Sequence, residues 1–468
     1  MLKSLFRDGR ALATLAVPLI LTQLAHVALT TTDTVMMGML GTRELAAGGL
    51  AIVIFNQVRT MGVGLVTAVG NQIASAVARF EHEASAPPER DARGHGPDEV
   101  RGIVRASMAV ATLAGIAGAV LMILIGQALV WLGQDAAVVA LTQTVLLALA
   151  PGLLPCLWFQ AIRQFTVGMR RPQALLQITI ASIAVNACLN WVFIHGTWVV
   201  PELGLTGIGV ATSTVYLLSF LALYAAARRD RELAPLLSLK VAKADPATVI
   251  RLVRLGVPIA ATYGSEAGFF SLTALMAGTF GPAALAAHAA VNQLVYVVFQ
   301  VAVGLSHAAS INVSRELALG RPDGARRIKN SALACGAAVM AVVGIVYLAV
   351  PTFVLAPFLE SGADQALTIG SHLLIVAAFL QFFDCAQNIG VGLLRGLDDT
   401  KSGFHITLIG YWAVGLPASG LLAYALGLHT LGIWLGLLTG LATTAVLLLR
   451  QYNRGLARRA AAPRASLT

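Results

Sequence analysis

Charge is scarce in this 468-residue chain: Asp, Glu, Lys and Arg make up 12% of it, about half the roughly 25% usual in soluble domains. Together with 57% hydrophobic residues, that scarcity excludes a water-soluble globule. Cysteine is sparse as well. Cys156, Cys188, Cys335 and Cys385 stand apart in apolar segments with no CxxC pair, which argues against structural disulfides and for buried small hydrophobes. Motifs for chemistry are missing too. There is no GxxxxGK[ST]; "HEASA" at 82–86 lacks the second His of HExxH, and "GSEAG" at 264–268 has its Ser in the wrong place for a nucleophile elbow. The nine His show no metal-ligand spacing, so a membrane-embedded enzyme has little support.

What the chain has is apolar length. Twelve stretches, the first at 12–37, the second at 45–75, the seventh at 252–279 and the last at 431–449, are near the roughly 20 residues a helix needs to cross a hydrocarbon core. Their hydrophobicity is continuous rather than alternating, which predicts helices and not barrel strands. The expected fold class is an all-α integral membrane protein of twelve transmembrane helices. Gly432, Gly436 and Gly440 fall four apart, a small-residue face suited to close helix packing. Met1 to Arg10 is short and basic, and the helix after it shows no small-residue cleavage site, so it is expected to stay as the first span.

A net charge of +10 raises the question of nucleic acid. Placement answers it. With the N-terminus in the cytoplasm, the N-terminal segment (Lys3, Arg7 and Arg10), alternate connections and the tail collect 30 of the 32 Lys and Arg, Arg163, Arg170 and Arg171 falling around the fourth. Arg43 alone lies opposite, and Arg59 lies inside a helix. The positive-inside rule then puts both termini in the cytoplasm. The expected partner of the surface is the lipid bilayer, with no nucleic acid.

The chain repeats itself. A shift of 240 residues matches Val17-Pro18 with Val257-Pro258, Gly41 with Gly281, Leu45-Ala46-Ala47 with Leu285-Ala286-Ala287, and Val63-Gly64-Leu65 with Val303-Gly304-Leu305. Later in each half the shift falls to 224, pairing Phe159 with Phe383 and Gly168 with Gly392, because the first half carries a polar insertion at about 80–100. The expected organisation is an N-terminal six-helix lobe at 1–227, a basic cytoplasmic linker at 228–251, a C-terminal six-helix lobe at 252–450 and a basic cytoplasmic tail at 451–468. Parallel, pseudo-symmetric halves suit a transporter that rocks one half against the other.

Three acids interrupt the apolar helices: Asp33, Glu266 and Asp384. At about 2.5–3.5 kcal/mol per central charge, exposing all three to lipid would cost on the order of 8–10 kcal/mol, so they face a cavity, a partner or one another. Interhelical hydrogen bonds with no transport role are one reading. The repeat favours the other, since Asp33 pairs with Thr273, Glu266 with His26 and Asp384 with Gln160, so no acid has an acid mate as a scaffold role would require. Arg59 is a candidate counter-ion. Asn186 and Asn190, four apart on one helix face, can hydrogen-bond a carboxylate or coordinate a cation, although Asn also joins helices. Thr212 and Gln160 complete the expected polar network.

With those residues in view, the sequence resembles the multidrug and toxic compound extrusion (MATE) family, and more closely its bacterial NorM-type branch. The resemblance rests on "VPLILTQ" leading to "DTVMMG" around Asp33, "FQAIRQFTVGMRRPQ" at 159–173, "NACLNWVFIHG", "GVPIAATYGSEAGFF" around Glu266, "AAHAAVNQL" at 286–294 and "FFDCAQNIGVGLLRGLDDT" around Asp384. It implies two six-helix lobes around a central, outward-opening cavity in the bacterial inner membrane, and a chain that acts as a monomer. It implies export of cationic or amphiphilic organic compounds by alternating access, driven by inward Na⁺ or H⁺ and with no cofactor. Asp33 matches the first-lobe acid, with Asn186 and Asn190 its polar neighbours, and Glu266 and Asp384 match the acids associated with cation binding, including a possible Na⁺. The NorM-type pattern often has an aromatic residue one turn before the last acid. Here that position is Leu380, and both coupling ions stay open. A flippase for lipid-linked sugars is the alternative transport reading, but several basic residues would be expected in its cavity and only Arg59 is plainly intramembrane.

Overall fold

A computed structural model describes residues 2–84, 95–132, 135–197, 201–359 and 364–461, and every regular element in it is helical. Residues 85–94 of the expected insertion and 462–468 of the tail lie outside the described residues. The long helices are α1 (Leu2–Leu40), α2 (Thr42–Thr67), α3 (Val69–Ala84), α4 (His95–Ala128), α5 (Ala136–Gly168), α6 (Gln173–His195), α7 (Gly204–Arg229), α8 (Pro246–Gly278), α9 (Pro282–Ala318) and α10 (Pro322–Ala349). After the short α11 (Pro351–Leu355) come α12 (Asp364–Gly396), α13 (Thr400–Leu408), α14 (Leu416–Gly420) and α15 (His429–Ala461). Alpha and π-helical turns alternate from α13 onward, with π segments at Ile409–Gly415 and Leu421–Ala425.

Among the described residues, eleven segments are long and apolar enough to cross a membrane, α2 with α3 and residues 400–425 each counting as one. The seventh predicted stretch forms α8. Its 33 residues reach about 50 Å at 1.5 Å per residue, enough to span, but Tyr263, Gly264, Ser265 and Glu266 make its middle too polar to qualify on composition.

Two compact units emerge. One comprises residues 21–260, the other residues 1–20 and 261–468. These boundaries fall inside α1 and α8, whereas the charge pattern places the division at the linker 228–251. Close backbone packing explains where they fall. A Cβ on Gly64 would lie 2.6 Å from Ala260 Cα, so the first half of α8 packs on α2; a Cβ on Gly304 would lie 2.9 Å from Ile20 Cα, so the first half of α1 packs on α9. The linker is itself docked within the 21–260 unit. Arg101 Nε donates to Pro235 O at 2.7 Å, Arg105 Nε to Ser238 Oγ at 3.0 Å and Arg171 Nη1 to Asp230 Oδ2 at 2.9 Å, and Leu233 is buried.

The 21–260 unit has a core of Met37, Phe55, Met122, Leu146, Leu153 and Tyr216. Here α5 runs so close to α7 that a Cβ on Gly152 would lie 2.7 Å from Ser213 Cα. The other unit has a core that includes Phe269, Leu373, Tyr411 and Trp434. Its glycine face works as expected: a Cβ on Gly432 would lie 2.5 Å from Ala423 N, one on Gly440 2.8 Å from Gly415 Cα, and one on Gly436 would meet Ser419. The four cysteines are free thiols. Cys156 and Cys385 are buried, but Cys188 and Cys335 are exposed on the helix surface, which corrects the expectation that all four are buried.

Candidate functional site

Asp33 sits in a run of threonines whose hydroxyls never leave their own helix. Thr30, Thr31, Thr32 and Thr34 each donate to the carbonyl four residues back, at 2.9–3.2 Å. Their hydrogen-bonding capacity is thereby spent locally, and only the carboxylate reaches across to other helices. Asp33 is 4% exposed. Its Oδ1 accepts from Asn186 Nδ2 at 3.0 Å and Asn190 Nδ2 at 2.8 Å, and its Oδ2 from Thr212 Oγ1 at 3.2 Å. The i, i+4 spacing on α6 is what lets both amides converge, and Asn190 Nδ2 also donates to Asn186 Oδ1 at 2.7 Å. Three donors on a buried carboxylate compensate the negative charge without neutralising it.

Asp33 and Thr212 form part of the wall of a small cleft in the 21–260 unit, lined among others by Thr30, Phe55, Asn56 and Tyr216. Arg59 Nε donates to Asn56 Oδ1 at 3.3 Å, and Asn56 lines this cleft. Gln160 lies elsewhere than the sequence places it. Buried on α5, it accepts from Arg163 Nη1 at 3.0 Å, and Arg163 Nη2 donates to Gln23 Oε1 at 3.3 Å. Arg163 is 3% exposed, so it belongs to this interior cluster and not to the basic connection in which the charge count groups it.

The remaining acids meet in the other unit. Glu266 on α8 and Asp384 on α12 are 8% and 3% exposed and close enough for their charges to interact. Tyr411 OH donates to Glu266 Oε1 at 3.3 Å, and Asn388 Nδ2 to Asp384 Oδ1 at 3.1 Å. Tyr411 is fully buried, stacked on Phe269 with ring centroids 5.0 Å apart and planes 2° apart. Its neighbour Trp412 donates from Nε1 to Ser265 Oγ at 2.8 Å. Consecutive residues of an α-helix diverge by about 100°; the wider π turn at Ile409–Gly415 narrows that angle and lets both side chains serve one face of α8. Leu380, one turn before Asp384, is fully buried among apolar side chains.

Sequence reasoning brings together Asp33, Asn186, Asn190 and Thr212 correctly in space. It misses Asn388 and Tyr411. The first repeats the i, i+4 amide pattern already noted on α6 and was findable beside Asp384. The second lies 145 residues from Glu266 with only a Gly-flanked aromatic pair to mark it.

The MatE family model matches residues 94–192 and 258–421, more than half of the chain. The chain belongs to the MATE family. A probable multidrug resistance protein NorM of Pseudomonas aeruginosa is 35% identical over 444 residues, 93% of this chain and 87% of that protein. Its namesake in Mesorhizobium japonicum is 33% identical, with 96% and 94% covered. Among solved structures, a MATE crystallised in complex with MaL6 superimposes with a TM-score of 0.85 at 14% identity, covering 97% of each chain. The eukaryotic MATE transporter AtDTX14 gives 0.81 at 20% identity, with 97% and 99% covered. These two show the shared fold. This MATE chain is thus an all-helical membrane transporter and not an enzyme.

Proposed function

We propose that this MATE chain is a secondary active efflux transporter that exports cationic or amphiphilic organic compounds in exchange for inward Na⁺ or H⁺. The observation that carries the reading is the Asp33 carboxylate, held by three donors at the wall of an open cleft with aromatic and apolar lining. A buried negative charge beside Phe55 and Tyr216 fits a flat organic cation, which gains both an ion pair and contact with an aromatic face. The donors on Asp33 are N–H and O–H groups rather than ligand oxygens, which suits an organic cation or a proton better than a bare metal ion.

Glu266 and Asp384 take the coupling ion. Two carboxylates and a phenolic oxygen within one buried cluster offer hard oxygen ligands to Na⁺ and acceptors to H⁺. An organic cation and the inward ion favour opposite orientations of an alternating-access cycle through their differential affinities, and this couples the two movements. The transporter works as a monomer in the bacterial inner membrane with both termini cytoplasmic, as the distribution of Lys and Arg supports. The names of its relatives agree with a multidrug cargo.

Ethidium efflux from proteoliposomes, driven separately by an imposed Na⁺ gradient and an imposed pH gradient, tests the proposal. Accumulation or release that follows one gradient is the expected result. Equal silence under both gradients refutes it.

A further inference from the structure

The unit that contains Glu266 and Asp384 also buries a guanidinium that neither acid engages. Arg395, next to last in α12, is 3% exposed. Its Nη2 donates to Tyr263 OH at 3.4 Å, and among the described residues its Nε has no hydrogen-bond partner. A cation buried with so few partners is unfavourable, so its position relative to the acids calls for a reason.

The helical register supplies one. Asp384, Asn388, Val391 and Arg395 follow i, i+4, i+7 and i+11, which places them on one stripe of α12. Gln387 is buried beside the stripe with its Oε1 unpartnered among the described residues. On α8, Tyr263 stands one turn before Glu266 and is half-buried. The two helices that carry the acids therefore also carry, toward the end that the Lys and Arg distribution places in the cytoplasm, the Tyr263–Arg395 contact. Tight packing with α9 seals another side of α12: Ser306 Oγ donates to Asn388 O at 2.7 Å, and a Cβ on Gly396 would lie 3.0 Å from Ser310 O.

We propose that the coupling cation leaves Glu266 and Asp384 for the cytoplasm along this stripe, and that the Tyr263–Arg395 contact is the valve that blocks its passage when no substrate moves. The inference rests on the reading that these acids hold the ion. A guanidinium keeps its charge at all working pH values and opposes a passing cation far more strongly in low-dielectric surroundings than in water. Val391, the one apolar residue on the stripe, adds a turn that resists hydration. The Tyr263 hydroxyl accepts from the guanidinium and fixes where that charge stands.

The test measures ion entry into proteoliposomes in the absence of substrate, with Na⁺- and pH-sensitive dyes. Arg395→Gln is expected to raise substrate-free entry of the coupling ion by roughly tenfold or more, the scale of removing one like charge a few ångströms away; Tyr263→Phe, which frees the guanidinium without removing its charge, is expected to raise it by a smaller factor. Ethidium binding stays near wild type in both, which shows that the chains are folded, and Arg395→Lys restores tight coupling. Adding Glu266→Gln to Arg395→Gln abolishes the leak. Wild-type leak rates in both Arg395→Gln and Tyr263→Phe overturn the valve, and a leak that survives Glu266→Gln overturns the path. Glu266→Gln alone transporting normally instead sinks the coupling reading beneath it, whatever the Arg395 variants do.

Discussion

Gly64 and Gly304 are 240 residues apart, and so are Ile20 and Ala260. The structure pairs them crosswise, Gly64 with Ala260 in one unit and Gly304 with Ile20 in the other, so one contact is built twice by the repeat. Replacing either glycine by alanine tests whether these approaches stabilise the unit in which each lies. A Cβ on Gly64 would lie 2.6 Å from Ala260 Cα and 2.8 Å from its N; on Gly304 it would lie 2.9 Å from both Cα and N of Ile20. Carbon atoms pack favourably at about 3.5–4.0 Å, so the backbones must part by roughly half an ångström to one ångström. Overpacking of this kind costs about 1–3 kcal/mol, while Gly→Ala in a helix returns about 0.5–1 kcal/mol of propensity. Gly102 on α4 is the control, since a Cβ there meets nothing within 4 Å and only the propensity gain remains. In thermal unfolding of the detergent-solubilised protein, Gly64→Ala and Gly304→Ala are expected to melt several degrees below Gly102→Ala, by similar amounts. Melting of both at or above the control refutes the close-packing argument. A loss in only one breaks the claimed equivalence of the two halves.

Other consequences are testable in the same preparations. Asp33→Asn, Glu266→Gln and Asp384→Asn should express at wild-type levels yet fail to confer drug resistance on a sensitive host; wild-type resistance in all three contradicts the assignment of the acids. Tyr411→Phe keeps the stack on Phe269 and removes a single 3.3 Å hydrogen bond, worth about 1 kcal/mol or somewhat more to a charged acceptor. Its midpoint for the coupling ion should shift by roughly fivefold or more at unchanged melting temperature, and an unaltered ion dependence counts against a role at Glu266. The docked linker predicts an acid-sensitive tie. Burial alone would raise the Asp230 carboxyl, but the backbone N–H groups of Glu232 and Leu233 and the Arg171 guanidinium outweigh it and hold Asp230 below its ordinary value. A depressed pKa contributes stability that is present above the unfolded value near 3.9 and lost as pH falls through the folded one. Protection against hydrogen exchange across 230–238, measured relative to the intrinsic rate at each pH, should therefore persist at neutral pH and fall only below about pH 4, while Arg171→Ala lowers it by a few-fold at pH 7, the modest effect of a partly exposed ion pair.

The fold was legible because long apolar runs in lipid leave the backbone almost no alternative to the helix. Repetition at an offset of 240, falling to 224 after the polar insertion, then showed that the two halves are alike, and family likeness supplied the rest. The exact division was not legible. Linker charge marks where the chain leaves the membrane, whereas the compact units are set by which backbones touch, and that depends on Gly64 and Gly304 meeting residues far along the chain. Gln160 shows a second limit. Its repeat mate is Asp384, but a repeat conserves backbone position and not partner, and Arg163 one turn on captures the amide.

The second acid site is only half visible in the sequence for the same physical reason. Asn388 shares a helix with Asp384, so its role is written in local spacing. Tyr411 acts across 145 residues, from a segment whose sequence alone, "IGYWAVG", reads as an ordinary apolar turn. Only the π geometry, with Gly410 and Gly415 packed against α15, aims Tyr411 and Trp412 together at Glu266 and Ser265. Leu380 empties the position from which the family pattern often supplies an aromatic ring. A phenolic oxygen nonetheless reaches Glu266 from another helix. Absence of one motif residue thus says little about the chemistry of this cluster, because the oxygen a cation meets is defined by where a side chain ends and not by where it begins.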